Sequence, residues 1–155
     1  MPGRTFSFEV NRVSSAPPEV LFRLETEGPL WSTWGKPLIV QARWARRGDE
    51  DPDGVGAVRE VGLWPVLLRE KTVEYEPGRR HVYTFAGSGP VRDYRAEVFF
   101  TPNAAGGTDL RWTGSFTESV PGSGPVACAA LRGAIRILSA QLVKAADRAG
   151  VSGAS

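Results

Sequence analysis

The sequence holds one cysteine, one histidine and one methionine in 155 residues. A lone Cys128 excludes an internal disulfide, and with His81 as the only imidazole a structural zinc site of Cys and His ligands cannot be assembled within one chain. No metal or cofactor is expected. Long apolar runs are also missing. The longest, Leu63-Trp64-Pro65-Val66-Leu67-Leu68, falls far short of the roughly 18–20 residues that cross a bilayer, and Met1 to Val10 carries no signal-peptide core. The expectation is a cytoplasmic protein without a membrane span. Neither sign of charge dominates: 19 Lys and Arg stand against 17 Asp and Glu, a net charge of +2. That balance offers no electrostatic footprint for nucleic acid or a membrane surface. Hydrophobic residues at 41% and charged residues at 23% lie near globular averages, which excludes a disordered or coiled-coil chain. One domain over residues 1–150 with a frayed tail at 151–155 accounts for the length.

Catalytic signatures are scarce as well. No Gly-x-Ser-x-Gly elbow occurs, and Cys128 falls in an alanine-rich helical stripe as a small apolar residue. Gly122-Ser123-Gly124-Pro125-Val126-Ala127 matches a dinucleotide-binding string, but no strand follows to complete the unit and Pro125 removes an amide that a phosphate needs. The acidic residues Asp49, Glu50, Asp51 and Asp53 lack the downstream bidentate carboxylate of a calcium loop, and Arg46 and Arg47 neutralise them.

What is present is a regular alternation of strands and turns. Thr5 to Asn11 alternates apolar and polar side chains, the period of a strand with one buried face. Ser14-Ser15-Ala16-Pro17-Pro18-Glu19 then opens a short helix carrying Val20, Leu21 and Leu24. Gly28-Pro29 breaks it, and Leu30 to Trp34 forms a second helical turn with Trp31 and Trp34 on one face. Six further strands follow: Leu38–Ala45, Val55–Leu63, Leu67–Tyr75, Arg80–Ala86, Asp93–Thr101 and Thr108–Ser119. Their short turns, among them Pro77-Gly78, require antiparallel neighbours. The one long helix pattern, from about Pro125 to Ala149, places Ala127, Ala130, Leu131, Ala134, Ile135, Leu138, Leu142 and Ala145 on one stripe. Gly150 is a natural stop.

This order predicts an α+β fold, a seven-stranded curved antiparallel sheet wrapped around the C-terminal helix, with two short helices between strands one and two. It resembles the helix-grip fold of the START-like superfamily (SRPBCC), shared with the birch-pollen allergen. Ala16-Pro17-Pro18-Glu19-Val20, Gly54-Val55-Gly56-Ala57-Val58-Arg59, Arg69-Glu70-Lys71-Thr72-Val73-Glu74-Tyr75-Glu76-Pro77, Tyr83 and Gly107-Thr108-Asp109-Leu110-Arg111-Trp112 are similar to its polyketide cyclase/dehydrase branch. The resemblance implies a hollow between sheet and helix for a bulky apolar molecule such as a polyketide, lipid or aromatic metabolite. It implies no single reaction.

Register selects the residues that face this hollow. Tyr94, Ala96, Val98 and Phe100 with Leu110, Trp112, Gly114 and Phe116 form one apolar set, which must face the helix. His81, Tyr83 and Phe85 supply bulky inward walls. A tight Pro77-Gly78 hairpin pairs Glu76 with Arg79, sets Thr72 opposite Tyr83 and Glu70 opposite Phe85, and so points Glu70 inward. Arg59 shares the face of Ala57, Val61 and Leu63, and a short turn after Leu63 brings it beside Glu70. A buried carboxylate needs such a partner. The two are either a structural ion pair or the group that orients a ligand. Arg59, Glu70, Tyr83, Phe85, Tyr94, Trp112 and Phe116 are therefore the expected binding residues. The acid–base candidates are Arg59, Glu70 and His81, the last placed at the rim by its nearness to a hairpin. Trp64, at a hairpin tip, guards the mouth or meets a partner. A binder with cyclase or dehydrase chemistry acting mainly by positioning, and a carrier or interaction module without chemistry, both fit this pattern. Oligomeric state is not legible.

Overall fold

The computed structural model describes residues 3–63, 66–87 and 91–153. Seven strands form one antiparallel sheet: β1 (Thr5–Ser14), β2 (Gln41–Arg46), β3 (Val58–Leu63), β4 (Val66–Glu76), β5 (Arg80–Phe85), β6 (Arg92–Pro102) and β7 (Thr108–Thr117). Their order across the sheet is β1-β7-β6-β5-β4-β3-β2. Between β1 and β2 lie α1 (Pro18–Thr26), a 3-10 turn (Gly28–Leu30) and α2 (Trp31–Trp34), and the chain closes with α3 (Gly124–Gly153). This is the helix-grip architecture.

Two strands start later than their apolar patterns. β2 starts at Gln41 because a turn through Pro37, closed by Ile39 N–H donating to Gly35 O at 2.8 Å, delays pairing. β3 starts at Val58, after a turn around Gly56 in which Ala57 N–H donates to Gly54 O and Asp49 N–H to Val55 O, although Gly56 and Ala57 still bridge to Thr72 of β4. In the other direction, α3 runs past Gly150 to Gly153, so Gly150 does not end the helix. Glycine lowers helix propensity by only about 1 kcal/mol, too little to end a 30-residue helix. Over Gly124–Ala149, helix α3 is long and apolar enough by length and composition alone to cross a membrane. Val126 and Ile137 of this helix are exposed, but one face is packed. Leu138, Leu142 and Ala146 are buried while Arg132, Arg136, Lys144 and Arg148 are exposed on other faces, the pattern of a helix packed on a sheet. The N-terminus of α3 is held by the buried Glu118, whose Oε2 accepts from Gly122 and Gly124 N–H at 3.2 and 3.0 Å. A carboxylate there meets both unpaired amides and the positive end of the helix dipole.

The predicted inward set is buried without exception: Tyr94, Ala96, Val98, Phe100, Leu110, Trp112, Gly114 and Phe116. Glycine at 114 is required by a close approach. A Cβ there would stand 2.4 Å from the Phe8 ring, which lies opposite on β1.

The β4–β5 hairpin carries a compensated error. Glu76 pairs with Arg80 instead of Arg79, a loop one residue longer than expected, and a bulge between Thr72 and Glu74 restores the register. Thr72 therefore still faces Tyr83, and Glu70 still faces Phe85. The bulge also reverses the alternation of the strand. Glu74 points outward to Arg80 and Arg95, while Tyr75 packs inward on Phe22 with ring centroids 5.2 Å apart.

Candidate functional site

Arg59 and Glu70 are directly opposite on β3 and β4, and Arg59 Nε donates to Glu70 Oε1 at 2.8 Å. Both are buried. A third member, Glu25 of α1, is fully buried and was missed by the sequence reading. Its Oε1 lies 3.6 Å from Arg59 Nη2, and Arg59 Nη1 donates to the Glu25 backbone carbonyl. The signal was present. Pro18, Leu21, Phe22 and Glu25 follow the i, i+3, i+4, i+7 spacing of one helix face, so a carboxylate on that apolar stripe announces a buried partner. Approach of this segment to Arg59 requires the absent side chain of Gly28, where a Cβ would lie 2.8 Å from the Arg59 Cβ.

His81 completes the cluster and corrects the expectation of a rim position: it is 1% exposed. Its Nδ1 sits 2.9 Å from Glu25 Oε1 and 2.7 Å from Oε2, and its Nε2 lies 2.8 Å from Thr72 Oγ1. Proximity to the hairpin misled because α1 crosses that end of the sheet and covers the ring. The Arg59 guanidinium is stacked between two aromatic faces, 4.2 Å from the Trp31 centroid and 4.6 Å from that of Tyr83, where the ring quadrupoles favour a cation.

These surroundings drive the two glutamates apart. Burial alone would raise the Glu25 carboxyl, but the pull of His81 and Arg59 prevails and holds it below the ordinary range. Burial pushes Glu70 upward more than Arg59 draws it down. Burial likewise opposes the charge on Arg59, yet Glu70 and Glu25 hold it charged above the usual value. Tyr83 and Tyr94 are raised by burial and stay neutral phenols.

Beside this cluster lies a cavity of about 530 Å³ between sheet and helix. Trp31, Ile39, Val61 and Leu68 form one wall, and Tyr83, Phe85 and Tyr94 another. Leu131, Ala134, Ile135 and Leu138 of α3 close the third side. Its mouth is apolar, with Leu38, Leu63 and Val66 exposed at 38%, 53% and 67%. Glu70 is the one charged side chain on the described lining. Of the expected binding residues, Glu70, Tyr83, Phe85 and Tyr94 reach the cavity. Arg59, Trp112 and Phe116 do not. Arg59 stands behind the Trp31 and Tyr83 rings, and Trp112 is a fully buried core residue whose indole N–H donates to the Tyr83 hydroxyl at 3.2 Å. Phe116 packs on Phe6 beyond the cavity, ring centroids 5.7 Å apart. Trp31, read earlier only as one face of a short helix, takes the wall position assigned to Trp112. Trp64 lies outside the described residues.

A curved antiparallel sheet closed by a long helix over an apolar cavity defines a helix-grip protein. The family model described as "Polyketide cyclase / dehydrase and lipid transport" matches residues 5–147, and the chain belongs to that family. Solved structures agree on the fold. A Mesorhizobium loti protein, MLL2253, is 24% identical, with 92% of this chain and 98% of that one covered and a TM-score of 0.70. Ara h 8.0201 is 18% identical over 90% and 96% of the two chains, with a TM-score of 0.67. The Staphylococcus aureus protein SA2116 reaches 0.75 at 11% identity over 95% and 96%. A search of curated proteins returned no match.

Proposed function

We propose that the protein binds a bulky, mainly apolar small molecule in the cavity between β3–β6 and α3, with one polar group of the ligand placed at Glu70. The observation that carries this reading is the cavity lining: aliphatic and aromatic walls with a single carboxyl at the inner side. Its volume of about 530 Å³ falls within the range of sites for drug-sized ligands. Trp31, Glu70, Tyr83, Phe85 and Tyr94 are the residues assigned to binding. A polyketide, lipid or aromatic metabolite suits such walls, and membership of the family favours these classes. Any cyclase or dehydrase step would rely on confinement of the chain, with Glu70 the one ionisable carboxyl at the ligand. The experiment is a panel of fatty alcohols, aromatic polyketides and steroids, read by thermal shift and tryptophan emission. A ligand present at a hundred times its Kd stabilises by about 2.7 kcal/mol, which raises Tm by roughly 5–11 °C at this chain length. Absence of any shift or quenching across the panel would defeat the reading.

A further inference from the structure

The charge arrangement around the cavity bears on which head group it accepts. Four ionisable side chains from four elements meet there: Glu25 of α1, Arg59 of β3, Glu70 of β4 and His81 of β5. The phenols of Tyr75, Tyr83 and Tyr94 complete the titratable surroundings. With both carboxylates ionised the cluster has a net charge of −1 when the imidazole is neutral and zero when it is protonated. The permanent cation of the cluster, Arg59, donates from Nε to Glu70 Oε1 and faces Glu25 Oε1 across 3.6 Å; its Nη2 is buried without a hydrogen-bond partner, and its guanidinium lies over the Trp31 and Tyr83 rings, off the cavity lining. No cationic side chain is on the described lining. Among the hydrogen bonds of the described residues, only Oε1 of Glu70 is engaged, so its second oxygen is left for a ligand.

We infer that the cavity selects ligands whose buried end is an uncharged hydrogen-bonding group, a hydroxyl or a ketone carbonyl, and rejects carboxylates. An anion placed at Glu70 would lose its hydration in an apolar enclosure and meet a like charge with no free cation in reach. A hydroxyl donates to the Glu70 carboxylate. A carbonyl accepts from the protonated acid, a form that burial favours at this position. Cationic heads gain less than their charge suggests, since they too lose their hydration in the apolar enclosure and must share Glu70 with Arg59. This inference rests on the ligand-binding reading, and it divides the class proposed there into accepted and excluded members.

The test compares four ligands of one chain length, decanol, the corresponding methyl ketone, decanoate and decylamine, by competition against a fluorescent reporter. At about pH 8, where a free carboxylic acid is ionised, decanol and the ketone are expected to bind at least about tenfold more tightly than decanoate, with decylamine no tighter than decanol. In Glu70→Gln the deficit of decanoate should shrink to within about threefold, since the like charge is gone. The parent protein supplies a second measurement that does not depend on folding of the variant. Lowering the pH to about 4 protonates most of the decanoate and should close most of its gap to decanol. Decanoate binding as tightly as decanol at the higher pH, or decylamine binding more tightly than both neutral ligands, overturns the inference and leaves the binding reading intact. Failure of all four to bind counts against the binding reading itself.

Discussion

Replacing Glu25 by Gln removes the carboxylate that serves both Arg59 and His81, and it separates the roles of the two buried glutamates. In the parent, Glu25 Oε1 lies 3.6 Å from Arg59 Nη2 and its oxygens lie 2.7 and 2.9 Å from His81 Nδ1. Without that charge Arg59 keeps only Glu70, and the imidazole loses its anion. Breaking a buried ion pair costs about 3–5 kcal/mol, a fall of roughly 6–20 °C in Tm for a chain of this length. Glu70→Gln is milder. Arg59 remains held by Glu25, the amide oxygen can still accept from Nε, and burial already drives Glu70 toward its neutral form, so the loss is that of weakening one charged hydrogen bond, about 1–3 kcal/mol.

The two variants also respond oppositely to pH. The folded-state value of Glu25 is depressed, so its contribution is present above the unfolded value of about 4.3 and disappears as pH falls through the lower folded value. The deficit of Glu25→Gln therefore narrows in acid. The folded-state value of Glu70 is raised, so its contribution is complete below the unfolded value and is lost as pH rises through the folded one. The deficit of Glu70→Gln narrows with increasing pH. Urea denaturation of both variants and the parent from about pH 2 to 8, which extends below the ordinary carboxylate range where the Glu25 contribution is lost, measures this. Equal losses at neutral pH, or deficits that change with pH in the same direction, would refute the division of labour.

Three further outcomes are expected. Leu142→Ala, at a fully buried position on α3, should lose about 2–5 kcal/mol in chemical denaturation, whereas Leu131→Ala, half-buried on the cavity wall, should lose less and enlarge the ligand space. Gly114→Ala drives a methyl group into the Phe8 ring and should cost about 1–3 kcal/mol, with Phe8→Leu recovering part of the loss; a neutral Gly114→Ala would contradict the packing. Trp31→Phe should remove most of the ligand-induced change in emission, because Trp31 lines the cavity, and Trp112→Phe should leave it largely intact; equal effects of the two would argue for a different site.

The strand pattern was legible because alternation is enforced by a buried face: each inward residue of β6 and β7 was identifiable from its neighbours at i±2. The same reasoning found the Arg59–Glu70 pair, since an inward carboxylate demands a cation. It missed what depends on non-local packing. His81 was judged by its distance from a turn in the chain, but its burial is decided by α1, which precedes it by more than fifty residues and places Glu25 on the ring. Which aromatic side chains line the cavity and which sit behind it was equally hidden. Trp31, Trp112 and Phe116 are all buried, and only their depth in three dimensions distinguishes wall from core. The bulge in β4 left no mark either, because its extra residue cancels the longer loop.

That cancellation bears on how the protein tolerates changes in length. The Arg59–Glu70 pairing lies on the β3 side of the bulge, within an unbroken ladder from Val58↔Lys71 to Leu63↔Val66. The loop and the contacts of Tyr75 with α1 lie on the other side. Removing one residue from the Pro77–Arg79 loop can be absorbed by erasing the bulge, which moves Tyr75 and Glu74 but leaves Glu70 in place. A one-residue deletion at this hairpin is thus mechanically isolated from the ligand chamber, whereas the same change in the β3–β4 hairpin would shift the carboxyl itself out of register.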